Sequence, residues 1–199
     1  MPQGRFWRQI PRRVIILGVL ALSVLALSLS VVSTGASVAA SPQGKTTPFT
    51  LTSPDFTPNG PLSRRAEYNH FGCTGKNIAP RLNWRGVPAG TAGFALVMND
   101  YDAPIAGGFH HWIVYNIPAS ARSLTGSSGF TQGTNSFGFA GYGGPCPPAT
   151  GQVHHYIFTL YALTVHHVSG KALTYDQLIH AINGKVAGAT VTIGTFVRG

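Results

Sequence analysis

From Phe49 onward the sequence is a series of short apolar runs, each ended within a few residues by glycine, proline or asparagine. That rhythm suits strands joined by turns far better than helices. The runs are FTLTS (49–53), FALVM (94–98), WIVYNI (112–117), YIFTLYAL (156–163) and ATVTIGTFV (189–197). In the fourth run both alternating sets are apolar, Tyr156, Phe158, Leu160 and Ala162 against Ile157, Thr159, Tyr161 and Leu163. A strand of that kind predicts a central position covered on both faces. With 25 Gly and 14 Pro in 199 residues, a coiled coil or helical bundle is excluded. The 11 Phe, 7 Tyr and 3 Trp can build a core, which excludes a disordered chain. No repeat of solenoid or propeller length occurs. Strand spacing alone leaves a sandwich and a barrel both open.

One helix is predicted. Thr174-Tyr175-Asp176-Gln177 has the form of a capping box, and Leu178, Ile182 and Val186 follow at a spacing of four. Asn183-Gly184 weakens its middle, so it ends or bends there. His180 is expected at the surface. The Gly/Pro-rich stretch 119–152 is a long loop, of the kind that usually carries function.

The N-terminus is of a different kind. Arg5, Arg8, Arg12 and Arg13 precede an uncharged apolar run, residues 14–32, and Ser37-Val38-Ala39-Ala40-Ser41 follows with small side chains. This is the order of a secretory signal. The run is also nearly long enough to cross a bilayer, so cleavage near Ala40 and an uncleaved anchor are both open, with the small residues favouring cleavage. No cysteine follows the run, so a lipid anchor is not expected. The chain divides into a signal or anchor (1–40), a polar linker (41–48) and one domain (49–199). The domain is exported: periplasmic, extracellular or at the cell surface, held at the membrane by residues 14–32 if these are retained. The formal charge of +9 is partly an N-terminal property, because without those four arginines ten Lys and Arg face five Asp and Glu. The ten are scattered, which argues against nucleic acid as a partner.

Polar chemistry gathers beside the strands. Two of the five acidic residues, Asp100 and Asp102, directly follow FALVM and share a face if the chain is extended there; a turn capped by aspartate is the alternative. His110 and His111 precede Trp112, and alternation lets only one of them enter a given pocket. His154 and Tyr156 share a strand face, with His155 opposite. The preceding run Gly141-Tyr142-Gly143-Gly144-Pro145-Cys146-Pro147-Pro148 cannot join a ladder and makes a rigid wall or rim. Cys73 and Cys146, two cysteines in an exported chain, permit one disulfide; two buried thiols are the alternative.

Taken together, D-x-D-A-P, H-W-x-V-Y-N-I-P, G-Y-G-G-P-C-P-P and H-x-Y-x-F-x-L-Y-A-L resemble the phosphatidylethanolamine-binding protein family. They are most similar to its bacterial Raf kinase inhibitor-like (YbhB/YbcL-type) branch. Cys73 to Trp84 and the final strand, Ala189 to Arg198, fit the same pattern. The resemblance implies a mainly β fold, an antiparallel Greek-key-like β-sandwich with a few short peripheral helices. It also implies a small pocket for phosphate, acetate or a phospholipid headgroup, formed by Asp100, Asp102, Pro104, His111, Pro147, Pro148, His154 and Tyr156. Asp100 is expected to orient His111 or His154 and to raise the pKa of that imidazole. Tyr101 stands where the family commonly has proline, and His155 where it commonly has arginine, which puts the ion pair of that arginine in question.

The function expected is that of an exported module binding a small anion or phospholipid headgroup and, by analogy, modulating a kinase or protease. The alternative is a phosphoester or small-molecule enzyme using the Asp/His pocket for acid–base work. No G-x-S-x-G elbow, H-E-x-x-H or C-x-x-C spacing is present, so neither a metal nor a cofactor is expected.

Overall fold

A computed structural model describes residues 47–126 and 129–198. The signal or anchor expected at 1–40, and most of the 41–48 linker, lie outside the described residues.

Among the described residues nine strands form two sheets. They are β1 (Thr50–Thr52), β2 (Gly60–Pro61), β3 (Leu82–Arg85), β4 (Gly93–Asp100), β5 (Phe109–Pro118), β6 (Ser123–Leu124), β7 (Thr131–Gln132), β8 (Val153–Leu163) and β9 (Val186–Val197). The large sheet runs β2-β9-β8-β4-β5-β7 and the small one β1-β3-β6. Every pairing is antiparallel except β2 with β9. Four of the five predicted runs lie wholly in strands, and of FTLTS (49–53) the middle three residues form β1. The strands not foreseen, β2, β3, β6 and β7, are short; of these only β3 carries a pattern, with Leu82 and Trp84 buried and Asn83 and Arg85 exposed.

Period-two burial explains the layering. Phe94, Leu96 and Met98 of β4 join Leu51, Leu82, Trp84, Leu124, Phe158 and Leu160 in the core between the sheets. Ala95 and Val97, pointing the other way, meet Ile113, Tyr115, Leu178 and Ile182 in a second core under the helix α1 (Tyr175–Ile182). The strand buried on both faces is therefore β4, all eight residues of it. In β8 one alternating set is buried and Ile157, Thr159 and Tyr161 are only half-buried. The reason is placement: α1 packs over β4 and β5.

Among the described residues α1 is the one helix, where a few were expected. Both bonds of its capping box form, Thr174 Oγ1 accepting from Gln177 N and Gln177 Oε1 accepting from Thr174 N. It stops at Asn183, with Gly184 at φ 72°, the left-handed region that glycine tolerates. Val186 consequently opens β9 rather than extending the helix. His180 is exposed.

Candidate functional site

The polar residues meet where β4 ends and β5 and β8 begin. Register places Asp100 opposite Tyr156 on one side and Phe109 on the other. Pairing jumps from Met98↔Trp112 to Asn99↔His110, so His111 is the extra residue of a β-bulge. His111 and Trp112 consequently turn toward the same core, the ring of His111 against Tyr156 and that of Trp112 against Tyr142, where strict alternation would have separated them. His110 faces the other side of the sheet, its Nδ1 2.7 Å from Asn99 Oδ1 and its ring stacked on Tyr175 at 4.0 Å.

A cavity of about 160 Å³ opens here. Seven of the eight proposed residues line it, namely Asp100, Pro104, His111, Pro147, Pro148, His154 and Tyr156. Asp102 does not. Its Oδ2 accepts from the backbone N–H of His155 at 2.7 Å and lies 2.8 Å from His155 Nδ1. The chain turns directly after Asp100, whose Oδ1 accepts from the N–H groups of Asp102 (2.9 Å) and Ala103 (3.2 Å). The two aspartates therefore share no face, and the aspartate-capped turn forms as well. His155 thus contacts a carboxylate, that of Asp102. Burial works to raise the Asp102 carboxyl, but the hydrogen bonds and charge of His155 outweigh it and hold it below the usual value.

Asp100 orients His154, with Oδ2 2.7 Å from Nδ1 and both groups buried. His111 instead directs Nδ1 to the carbonyl of Gly143 at 2.7 Å. Since a carbonyl only accepts, the proton sits on Nδ1. Burial pushes His111 down to about 4, against the opposing pull of the Gly143 carbonyl and Asp100. Asp100 does act to raise His111, as a neighbouring carboxylate should, but desolvation of the fully enclosed ring outweighs a charge it does not touch. Tyr156 Oη is buried beside the Asp100 carboxylate and makes no well-formed hydrogen bond among the described residues. Burial first, then the charge of Asp100 and its contact with the hydroxyl, push the phenol upward, so it remains a donor at neutral pH.

The depressed His111 pKa carries a stability consequence. The unfolded ring takes up its proton near 6.5 and the folded one near 4. The contribution to stability is therefore complete above 6.5 and is lost as pH falls toward 4, by about 3 kcal/mol at most. Urea unfolding at pH 7.5 and pH 4.5 should show this slope, and His111→Phe should flatten it. An equal slope in the variant would remove His111 as its source.

The wall is held from behind. Asn77 donates from Nδ2 to Tyr142 O (3.1 Å) and accepts at Oδ1 from Gly144 N (2.7 Å), and Tyr68 N donates to Pro145 O (2.9 Å). Cys73 and Cys146 are joined by a disulfide, with Cα atoms 5.9 Å apart. Arg198 reaches Pro147 O with Nη1 (3.5 Å) and Gly72 O with Nη2 (2.8 Å). A Cβ on Gly144 would run into the backbone carbonyl of Ala66. Gly144→Ala should therefore cost about 1–3 kcal/mol and displace the proline wall; unchanged thermal unfolding would contradict this close approach.

Sequence reasoning missed Phe109 and Phe137. Both line the cavity, their rings 4.6 Å apart and 4.8 and 5.7 Å from that of His111. Tyr68 stacks on Phe137 at 4.2 Å. The available signal was the phenylalanine pair 137 and 139 inside the glycine-rich loop, but no spacing ties it to the histidines. Two larger hollows lie elsewhere, of about 460 Å³ beside the Asp55–Arg81 ion pair and about 670 Å³ along α1. Neither contains a buried polar side chain lacking a partner among the described residues. No group of three His, Cys, Asp or Glu is placed to hold a metal among those residues.

Two packed sheets, with a small cavity at the ends of the central strands, define a β-sandwich. Residues 52–197 match the family model for phosphatidylethanolamine-binding protein, and the chain belongs to that family. It is 40% identical over 136 residues to a UPF0098 protein of Aquifex aeolicus, covering 64% of this chain and 79% of that one. It is 40% identical over 161 residues to LppC of Mycobacterium tuberculosis, covering 79% and 77%. The crystal structure of Escherichia coli YbcL, titled a new member of the mammalian PEBP family, superposes with a TM-score of 0.72 at 33% identity. That match covers 76% of this chain and 99% of YbcL. These relatives support the bacterial branch of the family.

Proposed function

We propose that the domain is an exported module that binds a small anion, a phosphate or a phosphate-bearing headgroup, in the 160 Å³ cavity. The observation that carries this reading is Tyr156 Oη, a buried donor without a well-formed hydrogen bond among the described residues, in a cavity where His111 and His154 are already oriented. Leaving such a group unsatisfied costs about 1–3 kcal/mol, which an acceptor from a ligand recovers. Binding is favoured over transfer through a serine, threonine or cysteine nucleophile, since the lining has no serine or threonine and its one cysteine is in the disulfide. Export is supported by the arginine–apolar–small-residue order of the N-terminus and by LppC, which carries a lipoprotein's name. Among the described residues no helix is long and apolar enough to cross a membrane, and residues 14–32 lie outside them. On the family resemblance we extend the proposal to modulation of a kinase or protease, met at the cavity rim where Ile105 is 54% exposed.

Calorimetric titration of the full chain with phosphate tests the site. His111→Ala and His154→Ala should each weaken binding about tenfold or more, the value of one good hydrogen bond. His110→Ala and His155→Ala should do much less. Equal losses in all four would refute the facing assignment, and a wild type that binds neither phosphate nor a phosphate-bearing headgroup would refute the function.

A further inference from the structure

Apart from the anion site, we infer that the hollow along α1 is a second binding site, for an organic ammonium cation held against Tyr161 and Tyr175 with Asp176 as its counter-charge. The ligands of this class are alkylated and quaternary ammonium groups, cations that carry an apolar surface. Metal ions and anions fall outside it.

Charge singles out this hollow. Four of the five carboxylates have ion-pair partners: Asp55 with Arg81, Glu67 with Arg64, Asp100 with His154 and Asp102 with His155. The fifth, Asp176, has none among the described residues, and it lines the hollow of about 670 Å³. No lysine or arginine lines that hollow with it. Lys185, beside the lining in sequence, donates from Nζ to the Ala181 carbonyl at 2.7 Å. His180, one turn along from Asp176, lines the hollow without forming an ion pair to it. Asp176 acts to raise His110, but burial outweighs it and holds that imidazole below its ordinary value, so His110 supplies no counter-charge at neutral pH. An unmatched carboxylate in a concave surface attracts a cation.

The rings decide which kind. Tyr175 stacks on His110 with one face, centroids 4.0 Å apart, which leaves its other face for the hollow. Burial, then the adjoining Tyr101 hydroxyl, pushes the Tyr175 phenol upward, and Tyr161 and Asp176 add to the rise, so these groups lie within reach of one another. Burial raises Tyr161 as well. Both phenols are therefore neutral at pH 8, and a neutral phenol ring attracts a cation to its face. Ile179 and Val186 make the rest of this wall apolar. A metal ion would exchange its shell of waters for a single carboxylate, and no group of three ligating residues stands here among the described residues. An alkylated ammonium needs only the ring faces, the aliphatic wall and one opposite charge.

Choline and its uncharged carbon isostere, 3,3-dimethylbutan-1-ol, titrated into the full chain at pH 8 and constant ionic strength, test this. Choline should bind at least about tenfold more tightly than the isostere. Asp176→Asn should weaken choline binding by about threefold to tenfold and leave phosphate binding in the other cavity unchanged. Tyr161→Leu should weaken choline by about fivefold, whereas Tyr161→Phe, which keeps the ring face, should not. Should the leucine variant fail to fold, Asp176→Asn, a change at an exposed side chain, decides together with the wild-type ratio. An isostere that binds as tightly as choline shows an apolar groove only and overturns the cation site. Choline binding that survives Asp176→Asn intact places the cation elsewhere and overturns it too, as does a wild type that binds no choline. None of these outcomes touches the anion site, whose own failure is read from phosphate.

Discussion

Asp100→Ala is expected to destabilise the domain by about 3–5 kcal/mol and to weaken phosphate binding by about a hundredfold or more. One carboxylate holds three groups: the N–H of Asp102, the N–H of Ala103 and the Nδ1 of His154. It is 3% exposed, so none of the three gains water when it is removed. The turn that carries Pro104 to the cavity and the ring that faces the ligand are lost together. Asp100→Asn separates the two effects. Its amide oxygen can still accept from the turn, while its NH₂ faces His154 Nδ1 and drives the ring proton to Nε2. Stability should then fall by much less than in the alanine variant while binding still changes. Urea unfolding and phosphate titration of both variants check this. An alanine variant as stable as the wild type would show that Asp100 does not organise the site.

Removing the disulfide should have the second largest effect. Cys73 and Cys146 are 73 residues apart, and opening a loop of that size releases about 4 kcal/mol of unfolded-state constraint. For a domain of this length the midpoint of thermal unfolding should drop by about 10 °C. The bond also joins the 68–77 segment to the cavity wall, since Cys146 itself lines the cavity beside Pro147. Cys73→Ser/Cys146→Ser should therefore weaken phosphate binding, even at temperatures where the variant remains folded. Asn77 and Arg198 still grip the wall from both sides, so the binding loss should stay near tenfold. Thermal unfolding with and without reductant, with the free thiols counted, measures the stability change. An unchanged midpoint after complete reduction would refute it.

How far the sequence reached differs from residue to residue. Alternation alone pairs His154 and Tyr156 on one face, and they are paired there, because β8 keeps unbroken register against β9 through that stretch. The capping box at Thr174 was equally legible, since all its partners lie within four residues. Alternation could say only that His110 and His111 separate. That Trp112 shares His111's buried side depends on a bulge, and a bulge is a relation between two strands. Asp102 was misplaced for a related reason: spacing assumes an extended chain, and hydrogen bonds to Asp100 curl it. Phe137 was invisible, because a loop residue reaches a cavity only through the packing of Tyr68, Phe109 and His111 around it.

By itself, then, the amino-acid sequence determined a strand-rich domain behind an arginine-led apolar segment, the facing of residues within unbroken strands, and the family. Each of these depends on local period, on breaker residues or on motif order, all of which are written along one chain. Tertiary structure alone decided which carboxylate meets which imidazole, which histidine loses its charge and which hydroxyl is left without a well-formed hydrogen bond. Those are matters of burial and of distances between segments far apart in sequence. Desolvation depends on everything that surrounds a group, and for His111 that surround is drawn from β4, β5, β8 and the loop at Phe137 and Gly143.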